Sequence, residues 1–273
     1  MLPAREAALA LWLPLTALVS CTSDATLTPG PNDFAAAEEV IDPATFDGDC
    51  GDFMPVDEVG ARWTWIEREY TAAEDYIIDV AVESVEADFK GVRAFSWSIQ
   101  RLNDAASRSN RVNLYLRCDR GDIYLLGGRW GDYVGDCPED LDLRGAHTYN
   151  PPYRLWSTSG FESGDGWNTR TTDTVLSQVM EPGCTGEVEY EESQEFYFPI
   201  YYTVAETDTI ELPGLGAIEA TRVHAQDLRH RSLYYSDLWV ARGFPILSGN
   251  SPVGLPWGML PAQFYLASYQ PAE

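Results

Sequence analysis

Apolar and polar residues alternate along the chain from about residue 60 onward. A period of two is typical of β-strands that bury one face and expose the other. Glycine, aspartate and asparagine separate the alternating segments and predict tight turns between antiparallel strands. The apolar positions that define the first strands are Trp63 and Trp65; Tyr76, Ile78, Val80 and Val82; Phe95, Trp97 and Ile99; and Val112, Leu114 and Leu116.

The middle of the chain, from Arg129 to Gly166, breaks this pattern. It is dense in glycine, proline and aspartate, which favour turns and irregular backbone. Strands resume near Thr172 and continue almost to the end of the chain. The sequence therefore predicts a mainly all-β fold, a single curved antiparallel sheet or open half-barrel, in which residues 129–166 form a long irregular covering segment.

The predicted strand near residues 194–204 is apolar on both faces. One face carries Phe196, Phe198, Ile200, Tyr202 and Val204, and the other carries Tyr197, Pro199 and Tyr201. Either protein covers both faces, or one face is an apolar surface that serves another purpose. Because apolar clefts with a few hydroxyl groups are typical small-molecule sites, Tyr197 and Tyr201 are the predicted ligand-facing residues.

The start of the chain has the pattern of an export signal. The uncharged run Ala7–Val19 is about 13 residues long, shorter than the roughly 20 that a membrane-spanning helix needs. It ends Leu18-Val19-Ser20-Cys21, which resembles the lipobox of bacterial lipoproteins. That resemblance implies cleavage before Cys21, acyl chains on this cysteine and, with Thr22 next, anchoring at the outer membrane.

Three regions follow from these patterns. Residues 1–20 are predicted to be a signal peptide. Residues 21–47, which contain Pro, Thr, Ala, Asp and Glu with little periodicity, are predicted to be a lipidated flexible tether. Residues 48–273 are predicted to form a single antiparallel β domain.

Charge narrows the range of partners. The formal net charge is −25, from 18 basic and 43 acidic residues. A surface of this sign repels phosphate backbones and anionic lipid headgroups, so the sequence predicts no nucleic-acid partner. Contact with the membrane is expected through the N-terminal lipid.

Four cysteines remain once Cys21 is assigned to lipid. An even number in an exported protein predicts two disulfides, for which three pairings are possible. Cys118 and Cys137 are separated by a tight turn and one further strand, so the chain doubles back between them. We therefore predict Cys118–Cys137, which leaves Cys50–Cys184 as the second bridge.

The candidate catalytic and metal-binding patterns are weak. The chain has no G-x-S-x-G motif, and its three histidines are His147, His224 and His230. His224, His230 and Asp227 could share a metal if a turn brought them together, and the acidic run Asp47–Asp52 could bind calcium. In so acidic a chain such clusters also arise from composition alone. The sequence predicts no catalytic residue, metal or cofactor.

The second half of the chain is similar to a recurrent pattern in exported bacterial proteins. The matching segments are TIELPGLGAIEATRV, LWVARGFPIL and FYLASYQP. Those proteins are akin to the lipoprotein-localisation factors, and this resemblance implies a strongly curved antiparallel sheet that forms an open half-barrel.

These features together predict a non-enzymatic lipoprotein of the bacterial envelope, at the outer membrane. It would bind an apolar small molecule, a lipid or an envelope protein. Two alternatives remain open. One is a hydrolase that acts on envelope polymers; paired carboxylates suit glycoside hydrolysis, but among 43 acidic residues a given pair carries almost no information. The other is a purely structural surface lipoprotein.

The lipobox resemblance generates the first testable prediction. Wild-type protein from a bacterial envelope should have a mass that corresponds to a chain starting at Cys21 with acyl chains attached, since two chains suffice for stable anchoring. A Cys21→Ala protein should leave the membrane fraction. If it stays firmly membrane-bound, Cys21 is not the anchor.

Overall fold

The structure is a computed structural model. It describes residues 41–69, 75–102, 111–130, 143–180, 188–227, 235–251 and 262–272. The chain divides into two units, Met1–Glu39 and Val40–Glu273. The predicted signal peptide and most of the predicted tether, Cys21 included, lie outside the described residues. All that follows concerns the second unit.

The described residues form twelve β-strands and one short α-helix, joined in an up-and-down meander. The strands are β1 (Arg62–Glu69), β2 (Tyr76–Phe89), β3 (Val92–Arg101), β4 (Arg111–Asp119), β5 (Asp122–Trp130), β6 (Leu143–Trp156), β7 (Trp167–Met180), β8 (Val188–Leu212), β9 (Gly216–Asp227), β10 (Tyr235–Val240), β11 (Ser248–Ser251) and β12 (Ala262–Gln270). Helix α1 is Thr158–Ser163, and a 3-10 turn occupies Pro43–Thr45.

The sheet closes on itself because β1 also pairs with β12. The two strands are antiparallel, in a register that runs from Arg62 opposite Gln270 to Glu69 opposite Ala262. The fold is thus a closed barrel, and the predicted open half-barrel is wrong in this respect. Closure removes the exposed strand edges that an open sheet would leave unpaired. The all-β, antiparallel part of the prediction is confirmed.

The N-terminal segment, residues 41–61, fills one end of the barrel. We call this the plugged end. The even-numbered strands finish there. Phe53, Met54 and Val56 are buried in the same core as the wall residues. The indole N–H of Trp97 donates to the carbonyl of Val56 at 3.0 Å. The ring of Phe53 stacks on Trp156 at 4.2 Å between centroids.

Packing in the plugged end leaves little space. A cavity of about 10 Å³ lies between the N-terminal segment and the wall, which is room for no more than about one water molecule. Its lining is apolar and includes three tryptophans, Trp63, Trp65 and Trp97. This half of the interior is therefore a packed core.

The acidic run near residue 50 fastens the N-terminal segment to the β4–β5 turn. The Asp47 carboxylate accepts the backbone N–H groups of Asp49 at 2.9 Å and Arg120 at 3.1 Å. These hydrogen bonds hold the pKa of Asp47 below its usual value. Phe46, which the prediction assigned to the tether, is buried and lies 4.7 Å from the Tyr124 ring. The run therefore has a structural role.

A disulfide joins this segment to β4, and it differs from the predicted pairing. The bridge is Cys50–Cys118, with 4.8 Å between the Cα atoms. Since Cys118 can form one bridge, the predicted Cys118–Cys137 and Cys50–Cys184 pairs are wrong. Cys137 and Cys184 lie outside the described residues. The prediction failed because Cys118 faces the barrel interior, where the N-terminal segment enters.

The predicted irregular covering segment is largely regular structure. Within residues 129–166, β5 continues to Trp130, β6 occupies Leu143–Trp156 and α1 follows it. The prolines lie at a register irregularity in β6, where Leu125 of β5 faces Tyr153 and Gly127 faces Thr148. A bulge accommodates proline within a strand. The prediction took the high proline and glycine content of this segment as a sign of loop and therefore missed the strand. No helix in the described ranges is both long enough and apolar enough to cross a membrane.

The disulfide generates the second prediction. Replacing Cys50 and Cys118 together by alanine should lower the free energy of unfolding by about 2–4 kcal/mol, because the bridge closes a long loop. The sequence separation of the two cysteines is 68. Urea titration of the oxidised protein and of the double variant measures the difference. Nonreducing peptide mapping that joins Cys50 to Cys184 instead would contradict the observed pairing.

Candidate functional site

The other end of the barrel interior differs in its side chains. We call it the far end, at which the odd-numbered strands finish. Five neighbouring strands, β4 to β8, each turn a half-buried side chain inward here, whereas the plugged end buries its inward side chains almost completely. We call these five residues the far-end wall: Val112, Trp130, His147, Val175 and Phe196.

Strand register places these five side chains on the inner face. Val112 lies opposite Trp130, and His147 lies opposite Val175. Directly opposed residues of antiparallel strands point to the same side of the sheet. Val112 packs against the interior core cluster, which fixes that side as the inside. Gly145, opposite Trp130, leaves room for the ring, since a Cβ atom there would overlap the indole.

A histidine–aspartate pair lies within this wall. The Nδ1 atom of His147 is 2.8 Å from Oδ2 of Asp173, and the side chains are 27% and 5% exposed, respectively. The Oδ1 atom of Asp173 is buried and receives no hydrogen bond from the described residues. Asp173 therefore has one oxygen occupied by the imidazole and one that still lacks a donor.

Aromatic rings flank the imidazole on both sides. The Trp130 ring lies 5.0 Å from the His147 ring, and the Tyr149 ring lies 6.4 Å away and nearly parallel, at 7°. Trp130 and His147 are both partly exposed, whereas Tyr149 is buried. Together they form an apolar surface around one polar pair, an arrangement common in sites for small organic ligands.

Below this pair, the interior is lined by buried tyrosines. The hydroxyls of Tyr153 and Tyr202 are 2.5 Å apart. Burial raises the pKa of Tyr149, Tyr153 and Tyr202, and the nearby Asp173 carboxylate adds to the rise at Tyr149. These hydroxyls stay protonated at physiological pH and can act only as neutral hydrogen-bonding groups.

The predicted ligand-facing tyrosines lie elsewhere. Tyr197 and Tyr201 are on the outer face of β8, 39% and 37% exposed. The Tyr201 hydroxyl donates to the carbonyl of Asp165 at 3.2 Å. The two rings are thus exposed and share a face with the buried Pro199. A cleft beside them stays a prediction.

The hypothetical histidine metal site is not assembled. His224 points outward, where its Nδ1 atom is 3.0 Å from Oδ1 of Asp237. Asp227 is three residues further along β9 and is buried on the inner face, together with Val223 and Ala225. His230 lies outside the described residues. No group of metal-ligating side chains occurs in the described ranges.

Sequence reasoning missed the His147–Asp173 pair for one reason. His147 lies in a segment that the prediction treated as loop, so its alternation with Tyr149 across Thr148 was not used. Recognising residues 143–149 as a strand would have placed His147 and Tyr149 on one face of the sheet.

No protein-family model matches this chain, and no curated protein matches it either. Two solved structures are similar to it. One is from Bacteroides fragilis and is described as a "putative exported protein with YmcC-like fold"; it is 14% identical, with a TM-score of 0.45 over 81% of this chain and 100% of the other. The second is a "putative lipoprotein" from Parabacteroides distasonis, 10% identical, with a TM-score of 0.38 over the same shares.

The burial of Asp173 beside His147 generates the third prediction. His147→Ala should lower the free energy of unfolding by about 1–3 kcal/mol, because Asp173 would lose its hydrogen-bond partner while it remains buried. His224→Ala is the matched control, since Asp237 is 26% exposed and water can replace the imidazole. The control should lose less than about 1 kcal/mol. Equal losses in urea titrations would mean that burial of Asp173 does not matter.

Proposed function

We propose that this protein is a lipid-anchored protein of the bacterial envelope whose barrel binds an apolar ligand that carries a hydrogen-bond donor. The binding site is the far-end wall, with Asp173 as the polar contact. The observation that carries the proposal is the unequal filling of the barrel interior.

Barrel size supports this proposal. Eight strands enclose an interior that wall side chains alone can fill, whereas sixteen or more enclose a channel. A barrel of twelve strands lies between these sizes and has more space than its wall fills. The N-terminal segment occupies the plugged half, where the remaining cavity is about 10 Å³. The far-end wall keeps apolar side chains partly exposed on the inside.

The chemistry of the wall supports the class of ligand. Trp130, Val175 and Phe196 offer apolar contact area, and a ligand that covers them would remove this area from water. The Oδ1 atom of Asp173 is a buried acceptor without a donor among the described residues. A ligand hydroxyl or amine group that displaces the side chains over it would complete its hydrogen bonding. A purely apolar ligand would leave that oxygen buried without a partner.

The geometry supports binding better than hydrolysis. A nucleophilic triad needs a hydroxyl or thiol hydrogen-bonded to the second ring nitrogen of its histidine. In the described part of the chain, the side-chain hydrogen bond of His147 is the one to Asp173. Its ring neighbours are Trp130 and Tyr149.

A second candidate function is docking of an envelope protein on the outer face of β8. It is favoured by the exposure of Tyr197 and Tyr201, two aromatic side chains on one face of one strand. Tyrosine is enriched in protein interfaces because it adds apolar area and a hydroxyl group together.

The fourth prediction separates the two candidates. The mature chain with Cys21→Ser would be titrated with N-phenyl-1-naphthylamine, an apolar fluorescent probe that has one N–H donor. Trp130→Ala should weaken probe binding about 30-fold, the usual effect of removing a central aromatic contact worth ~2 kcal/mol. The matched control, Tyr197→Ser with Tyr201→Ser, should bind as the parent chain does.

Two results would contradict the proposal. If the tyrosine variant loses the probe and Trp130→Ala keeps it, the site lies on the outer face of β8. If the parent chain binds no probe, and lipid extracts of the envelope leave its tryptophan fluorescence unchanged, the barrel has no apolar ligand site.

A further inference from the structure

On the outer face of β2–β6, two cations have no carboxylate partner among the described residues. Lys90 lies at the tip of the β2–β3 hairpin and donates from Nζ to the Thr148 hydroxyl at 2.7 Å. Arg129 of β5 lies above two aromatic rings, with its Cζ 5.7 Å from the centroid of Phe89 and 5.6 Å from that of Tyr115. In the described residues, neither cation forms an ion pair with a carboxylate.

Packing brings the two cations to one place. Phe89 precedes Lys90 in the chain, and its ring lies over Gly127, where a Cβ atom would overlap it. Gly127 is opposite Thr148, the acceptor of Lys90, and is two residues from Arg129. Lys90 and Arg129 therefore flank the same phenyl ring. We call this group the outer cation site: Lys90, Arg129 and Thr148.

The site is preorganised. Lys90 and Gly91 both have positive φ, 53° and 82°, which is the backbone of a two-residue type I′ hairpin turn. This conformation is uncommon for lysine and directs its side chain back over β6. The Phe89 and Tyr115 rings stack at 4.6 Å and support the guanidinium from below. Arg129 is partly exposed. A guanidinium held over aromatic rings can still bind planar or tetrahedral oxyanions through its N–H groups.

Among the described residues, the unpaired charges around the site are mainly positive. Glu86 is paired with Arg93 at 2.6 Å. The Asp88 carboxylate accepts the Gly91 N–H at 3.3 Å and forms no ion pair with the described residues. Arg117 donates to the carbonyls of Arg93 and Phe46 and forms no ion pair with a described carboxylate. Among the described side chains around the site, Lys90, Arg129 and Arg117 outnumber the one unpaired carboxylate, that of Asp88, in a chain of net charge −25.

We propose that the outer cation site binds the phosphate group of an anionic lipid headgroup, so that this wall of the barrel faces the membrane. The choice of a lipid as the source of the phosphate rests on the proposed lipid anchor. Phe46, near the start of the described residues, lies on this same wall. Arg117 links Phe46 to the hairpin by donating to the Phe46 carbonyl at 2.9 Å.

Distance and screening are both compatible with this orientation. The roughly 20 residues between Cys21 and residue 41 span at most about 70 Å when fully extended, so the wall can reach the bilayer. Repulsion from the rest of the acidic surface is screened beyond about 8–10 Å at physiological ionic strength. A cation held within a few ångströms of a phosphate still contributes at that distance.

The test uses the fact that Lys90 is the single lysine of the chain. The mature chain with Cys21→Ser, which lacks the anchor, would be mixed with phosphatidylcholine vesicles or with vesicles that also contain phosphatidylglycerol. Co-sedimentation measures binding, and amine acetylation followed by peptide mass analysis measures how accessible Lys90 is. We expect binding to the anionic vesicles alone, together with slower acetylation of Lys90.

Two double variants with the same change of charge locate the effect. Lys90→Gln with Arg129→Gln should weaken binding to anionic vesicles about 5-fold for each cation, or about 25-fold in total. Arg62→Gln with Arg68→Gln on β1 is the control and should leave binding within about 2-fold of the parent, because these residues lie on another wall. If the double variant does not fold, Lys90→Gln alone can be used, because this side chain is exposed. It should weaken binding to anionic vesicles about 5-fold.

The opposite results are also informative. Equal losses in the two double variants would show that overall charge, rather than this site, controls binding. Protection of Lys90 by inorganic phosphate, at matched ionic strength and without binding to vesicles, would identify a free-phosphate site and overturn the headgroup assignment. Failure of the Cys21→Ala fractionation test would remove the anchor but would leave the vesicle result unchanged, so the two proposals fail separately.

Discussion

The pairing of β1 with β12 is the contact on which the rest of the molecule depends. These strands lie at opposite ends of the folded unit, and their hydrogen bonds turn a twisted meander into a ring with no free edge. Only after closure does the sheet have an inside and an outside. A ring of twelve strands also encloses more volume than its own wall fills, so the chain has to supply further material.

The N-terminal segment supplies that material at one end. It brings Phe53, Met54 and Val56 into contact with a tryptophan-lined wall, and the Cys50–Cys118 bridge and the Asp47 hydrogen bonds hold it there. The same division of the interior leaves the far-end wall partly exposed. The packed core and the candidate ligand site therefore have one cause: the N-terminal segment fills the barrel interior at one end only.

The two faces of the wall have separate roles in our proposals. The inner face of β5 and β6 carries Trp130 and His147, and the outer face carries Arg129 and Thr148, their immediate neighbours in sequence. Alternation along the strands puts a ligand-binding group and an anion-binding group back to back.

The sequence by itself determined the class of secondary structure, because a period of two needs only local side-chain spacing. Alternation at Trp63–Trp65 and at Val112–Leu116 correctly predicted strands and their inward faces. Tertiary structure decided what spacing cannot encode. Closure and the Cys50–Cys118 bridge join residues that are far apart in the chain. A bulge keeps the proline-containing β6 within the sheet, and the His147–Asp173 pair forms only because β6 lies beside β7. These features depend on long-range register, which is set when the whole sheet assembles.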